Sequence, residues 1–171
     1  MRKKRQFQKI QIVVIIIIAL VVGVQAYLRL PDRVGHDFVQ FNNAVLTPAL
    51  SLAPYTTRIS LAKTDSEKAN AYSIDYVPVY AEKVRLLQNP KSYQPKTDEV
   101  RRLRGEYLTG FQELLQGYLD FTQAVQLKDA GKNSSSDQHL ANGRAALSRA
   151  QQDGLKLFKA HHLQFDSRKK K

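Results

Sequence analysis

The sequence predicts an all-α protein, an N-terminal transmembrane helix followed by an up-down-up-down four-helix bundle. Three observations predict it. Residues 10–30 form an almost unbroken apolar run behind a basic leader. Beyond them, apolar residues recur at steps of three and four in four separate stretches, each bounded by capping or breaking residues. No stretch alternates with the period of a strand, and Ile59 to Ala62 is too short to weigh. The chain therefore divides into a cytoplasmic basic segment (1–9), a signal-anchor (10–30), an extracytoplasmic bundle (31–167) and a basic tail (168–171).

The anchor sets the address. From Ile10 to Leu28 the run would be about 28 Å long as a helix, close to the hydrocarbon thickness of a bilayer. Arg2, Lys3, Lys4, Arg5 and Lys9 precede it and the first acid is Asp32, so the amino terminus is expected to stay in the cytoplasm. A cleaved signal peptide is the competing reading, with Ile12 to Val22 as its apolar core and cleavage after Ala26. Against it, the run continues through Tyr27 and Leu28 and is denser in β-branched residues than a signal requires. Either way the remaining residues are exported. No cysteine is present, which excludes a lipoprotein anchor and a disulfide-built module and suits a bacterial envelope.

The net charge of +12 does not point to nucleic acid. Ten of the 27 Lys and Arg residues lie in 1–30 and 168–171, where there is no acid, leaving 17 against 15 acids in 31–167. A nucleic-acid domain carries its excess on the folded face; here the excess sits at the two ends. Residues 31–171 are enough for one ordinary domain.

The first helix is expected from Asp32, an N-cap after Pro31, to about Leu46, with Val34, Phe38, Phe41 and Val45 on its buried stripe. Pro48 and Pro54 make 47–63 an irregular or partly helical connection. The second starts at the capping box Thr64-Asp65-Ser66-Glu67 and reaches about Gln88, with Tyr72, Tyr76, Tyr80, Val84 and Leu87 on one face and a kink at Pro78. Asn89-Pro90 ends it. The third runs from Thr97 or Asp98 to about Lys128 through Val100, Leu103, Tyr107, Phe111, Leu114, Tyr118, Phe121 and Val125. Gly131 and Asn133 are expected to end it, and the serines of 134–136 to cap the fourth. In that helix Leu140, Gly143, Leu147, Ala150, Gly154, Leu157 and His161 share a face, whose small residues would admit a close neighbour with the tyrosines filling the space opposite.

Antiparallel connectivity then sorts the loops by end. Arg29, Arg33, Lys91, Lys96 and the tail Arg168, Lys169, Lys170 and Lys171 are expected near the bilayer, where they would attract anionic lipid or a cell-wall polymer. Residues 47–63 and 129–136 are expected at the far tip. Leu50, Leu52, Tyr55 and Ile59 there either cap the open end or meet a partner.

No motif carries chemistry. Adjacent His161 and His162 point about 100° apart on a helix, a poor chelating pair, and no Glu-x-x-His occurs. His162, near the end of the fourth helix, resembles in position the haem ligand of small periplasmic cytochrome bundles, but the resemblance fails because neither an internal methionine nor Cys-x-x-Cys-His accompanies it. Tyr72, Tyr76 and Tyr80 with Tyr107 and Tyr118 read as bundle core or, alternatively, as the lining of a ligand slot. Asn133-Ser134-Ser135 matches a short sequon of the kind frequent by chance. The sequence thus predicts no metal, no cofactor and no enzymatic activity. It predicts an interaction or scaffolding component of a bacterial envelope, held in the bilayer through 10–30 and bound to an unidentified envelope protein. The alternatives are a small-ligand-binding or sensory bundle and a cleaved, secreted helical protein. The layout resembles the helical sensor domains of membrane receptors, although a sensor with one span would need a partner to signal inward.

Overall fold

The computed structural model describes residues 32–163, so the segments 10–30 and 168–171 singled out above lie outside the described residues. Every element among the described residues is helical. They are α1 (Arg33–Phe41), a π-helical turn (Asn42–Leu46), α2 (Thr47–Ser51), α3 (Thr57–Leu61), α4 (Asp65–Ala71), a second π-helical turn (Tyr72–Tyr76), α5 (Val77–Gln88), α6 (Asp98–Leu127) and α7 (Ala130–Ala160). No helix among the described residues is long and apolar enough to cross a membrane.

The two long helices form the spine. They pair antiparallel, and their facing residues alternate large and small: Leu103 meets Gly154, Gly110 meets Leu147, Leu114 meets Gly143, and Gly117 meets Leu140. A methyl group added at Gly110 or Gly117 would lie 2.7 Å from the facing leucine side chain, and one at Gly143 would lie 2.9 Å from the backbone nitrogen of Leu114. Each glycine is therefore a socket for the opposite helix's leucine. The small residues of α7 thus face leucines of α6, not the tyrosines expected opposite them. The hairpin turn is shorter than expected. Lys128 adopts the left-handed conformation (φ 54°), and the Asp129 carboxylate accepts from the amides of Gly131 (2.9 Å) and Lys132 (3.2 Å). Asp129 supplies the cap in two residues, so α7 begins at Ala130, and Gly131 and the three serines lie inside it.

Against this spine pack two interrupted helical stretches. In each, a proline sits two residues beyond a π-helical turn: Pro48 after Asn42–Leu46 and Pro78 after Tyr72–Tyr76. A proline ring crowds the carbonyl four residues back and offers no amide. The wide turn relieves that crowding, with the Thr47 amide reaching Asn42 O and the Val77 amide reaching Tyr72 O. The neighbouring residues Asn43, Ala44, Ser73 and Ile74 are exposed, so water can serve the carbonyls that the prolines leave without a donor. Pro48 therefore does not end the first helix, which continues to Ser51, and the kink expected at Pro78 takes the form of a widened turn. The Thr64–Glu67 capping box is present, with the Glu67 amide donating to Thr64 Oγ1 at 3.2 Å and Glu67 Oε2 accepting from the Thr64 amide at 2.9 Å.

The core is uneven. Phe38, Phe41, Val45, Leu46 and Ala49 of the first stretch join Leu87, Val100, Leu103, Tyr107, Phe111 and Ala150 in the main cluster. A smaller cluster of Leu114, Tyr118 and Leu140, covered by Tyr72, Tyr76, Val77, Tyr80 and Leu147, serves the other half. The difference follows from length. The first stretch stops at Ser51 beside α5, and the segment 52–63 continues along the flank of the second stretch.

Candidate functional site

One end of the domain is built around a buried acid. Asp37, one turn into α1, is 2% exposed, and its carboxylate accepts from Tyr93 Oη (2.6 Å), the Lys96 amide (2.9 Å), the Thr97 amide (2.7 Å) and Thr97 Oγ1 (2.6 Å). Thr97 is the N-cap of α6 and gives its own hydroxyl away, so the acid that faces the N-terminus of α6 comes from α1. Burial opposes ionisation of Asp37, but the bonds from Thr97 and Tyr93, with the backbone amides of Lys96 and Thr97, outweigh it and hold its pKa below the ordinary carboxylate value. Burial and the bond to Asp37 push Tyr93 up to about 12. The other side of the same connection is fixed by Arg104 of α6, whose Nε donates to Leu87 O at 2.8 Å at the end of α5. A carboxylate meets the start of one helix and a guanidinium the end of the other, each matching the helix dipole.

This arrangement gathers several residues expected near the bilayer. Arg33 lies one turn before Asp37, and Lys91 and Lys96 lie in the connection that Asp37 pins; all three are exposed. The antiparallel spine brings the end of α7, with exposed Lys159, to the same end. Asp98 pairs with Arg101, and Asp153 pairs with Lys156 at 2.7 Å. Arg29, Arg168, Lys169, Lys170 and Lys171 lie outside the described residues.

The four tip residues sit elsewhere than expected. Leu50 ends the first stretch beside α5, and Leu52, Tyr55 and Ile59 follow on the flanking segment, not across the end of the domain. Leu50 (44%) and Tyr55 (67%) are exposed, whereas Leu52 and Ile59 are half-buried. The reason is the early stop of the first stretch, which leaves the segment to span the remaining length of the second. An ion pair ties it down: Arg58 Nη1 meets Asp75 Oδ1 at 3.1 Å.

The tyrosine row is packing. Tyr118 packs against Tyr72, Tyr76 and Tyr80 at centroid distances of 4.8, 4.9 and 5.3 Å. Burial raises the pKa of Tyr80, Tyr107 and Tyr118. Beside them Lys83 is 7% exposed, its ammonium 5.2 Å from the Tyr80 ring centre and 5.0 Å from that of Phe111. No carboxylate among the described residues pairs with it, and burial lowers its pKa. The chain matches no family model, no curated protein and no solved structure.

A second polar cluster joins α6 to the start of α7. Asp120, 2% exposed, accepts from Gln116 Nε2 (2.9 Å) and Ser135 Oγ (2.7 Å), with Lys132 Nζ and His139 Nε2 each 3.8 Å away. His139 Nδ1 lies 2.8 Å from Glu113 Oε2. Burial resists the charge on Asp120, but these partners prevail and its pKa is lowered. Among the described residues no group of three or more His, Cys, Asp or Glu side chains is placed to hold a metal ion. A shallow open depression of about 350 Å³ on α5, lined by Ala81, Val84, Arg85, Gln88, Asn89 and Pro90, has Arg85 already engaged by Glu82.

Sequence reasoning missed Asp37, Lys83 and Asp120. Asp37 and Lys83 each sit three residues from a member of their helix's apolar stripe, Val34 and Tyr80, and Asp120 directly precedes the stripe residue Phe121. A charge at such a position is the signal that was available.

Proposed function

We propose that this protein is a single-pass membrane protein with a cytoplasmic N-terminus that presents an up-down-up-down four-helix bundle, its first helix shortened, outside the cytoplasm. In this reading it is an interaction or scaffolding component of a bacterial cell envelope with no catalytic role. The observation that carries the reading is the apolar run of 10–28 behind five cations with no acid before Asp32. The end where the chain enters the bundle supports it. Exposed Arg33, Lys91, Lys96 and Lys159 gather there while Asp37 is buried. With Arg29 and the tail Arg168 to Lys171, these residues form an electrostatic foot on an anionic leaflet, each cation contributing roughly 1 kcal/mol near the surface. The partner surface in this reading is the flank carrying Leu50, Leu52, Tyr55 and Ile59, where apolar side chains are presented on a segment tied down by the Arg58–Asp75 pair.

Two measurements test it. The chain recovered from the native membrane fraction should have its full-length mass, with its carboxyl terminus digested by protease added outside intact cells. A soluble chain beginning at Tyr27 would convert the reading to a free exported bundle, and a protected carboxyl terminus would reverse the orientation. The foot predicts salt-sensitive binding of the domain to vesicles containing anionic phospholipid, weakened by deleting 168–171; unchanged binding would remove it.

A further inference from the structure

We propose that Glu113, Asp120, Lys132 and His139 form a pH-gated clasp that holds the first turns of α7 against α6. The segment from Ala130 to His139 has little else to hold it. Ser136 is the one residue in it that is buried; its hydroxyl donates to Gly117 O at 2.8 Å, and apolar packing begins only at Leu140. Beyond the Asp129 cap and a Gln138–Asn142 bond within α7, its remaining polar contacts with α6 converge on the two acids of that helix. Ser135 and Lys132 reach Asp120, and His139 lies between Asp120 and Glu113.

The imidazole is the gate because of its geometry. Nδ1 faces a Glu113 oxygen at 2.8 Å and Nε2 faces an Asp120 oxygen at 3.8 Å. A neutral ring has one N–H and one lone pair, so it donates to one carboxylate and turns its lone pair toward the other. An imidazolium donates to Glu113 and turns a second, positively charged N–H toward Asp120 at ion-pair distance. The charges agree: α6 contributes two acids here and α7 contributes Lys132, so the cluster is electroneutral only when His139 carries a proton. Asp137 and Asp129, the nearby acids of α7, are exposed. The clasp is complete over the interval in which Asp120 and Glu113 are ionised and His139 is protonated. With a neutral ring the attraction to Asp120 is lost and the bond to Glu113 alone remains.

The consequence is local. The spine pairs Leu103–Gly154 and Gly110–Leu147, at the other end of the two helices, are apolar and should not respond, while the start of α7 loosens. Amide hydrogen exchange on the full-length protein in lipid nanodiscs tests this at about pH 5.5 and about pH 8, after correction for intrinsic exchange. The expected result is protection of 131–139 that is about threefold lower at the higher pH, the scale of one half-exposed ion pair. Peptides spanning 103–118 should be unchanged. In H139Q the segment should show the lower protection at both pH values, and E113Q, which keeps the titrating ring, should show a smaller difference between them. Equal pH dependence in the original chain and in H139Q, or loosening shared with 103–118, would overturn the clasp.

Discussion

The spine of α6 and α7 and the interrupted pair of stretches packed on it bury apolar surface in opposite ways. Across the spine, unbroken helices of 30 and 31 residues approach until glycines receive leucines. On the other side, phenylalanines and tyrosines fill the core, and each helix is broken by a widened turn before a proline. Close approach tolerates no local irregularity, because one misplaced turn would drive backbone into backbone. Large side chains absorb such irregularity through their rotamers. The same difference explains where buried charge is found. Asp37, Asp75 and Lys83 all belong to the interrupted stretches, and Asp120 lies where the spine gives way to polar contacts.

The sharpest way to break this contrast is to fill a socket. G143A should destabilise the protein by about 3 kcal/mol in denaturant unfolding, since the new methyl meets the Leu114 backbone nitrogen and the backbone cannot rotate away. G110A and G117A press mainly on leucine side chains and should cost less. If all three were neutral, the close approach of the spine would be wrong. Next in size is D37A, which strands the Thr97 and Lys96 amides and the Tyr93 hydroxyl and should cost about 2 kcal/mol. Its pH signature follows from the lowered pKa. The contribution of Asp37 is present above the unfolded value of about 3.9 and is lost as pH falls through the lower folded value. D37N should therefore flatten the acid limb of the stability curve.

K83M probes the tolerant side. A buried ammonium without a carboxylate destabilises the fold, and the two ring contacts offset only part of that, so the variant should gain about 1 kcal/mol at neutral pH. Because burial lowers the folded pKa of Lys83, the penalty fades as pH rises toward the unfolded value of about 10.4, and the advantage of K83M should shrink with it. A constant advantage across that range would mean that packing, not charge, is responsible. The smallest effect is expected at Gly105, the helical glycine of α6 with open space around it. G105A should add about 0.7 kcal/mol through helix propensity alone. The opposite signs of G105A and G143A would separate glycines that serve packing from one that does not.

Much of the helical content was legible because the sequence carries it locally. The Thr64–Glu67 box, the Asn89-Pro90 stop and the unbroken step of three and four from Val100 to Val125 each act within one turn of themselves. Pro48 on its own signals the end of the first helix, whereas a widened turn five residues long accommodates it and the helix continues to Ser51. The start of α7 was misplaced because three serines looked like a cap and Asp129, nearer the turn, took the role. Of the residues proposed to face the bilayer, Arg33, Lys91 and Lys96 were placed at one end by counting helices. The flank position of Leu50 and Tyr55 was not legible, since it depends on the first helix being shorter than the others.

By itself the sequence determined that the described domain is helical, that apolar stripes run along its helices, and that its charge excess lies outside the domain. Those properties follow from residue order over a few turns. Tertiary structure alone decided which glycines are sockets, which acid caps which helix, and that His139 stands between two carboxylates. Each depends on residues tens of positions apart meeting at contact distance, and a single chain read in order contains no measure of that distance.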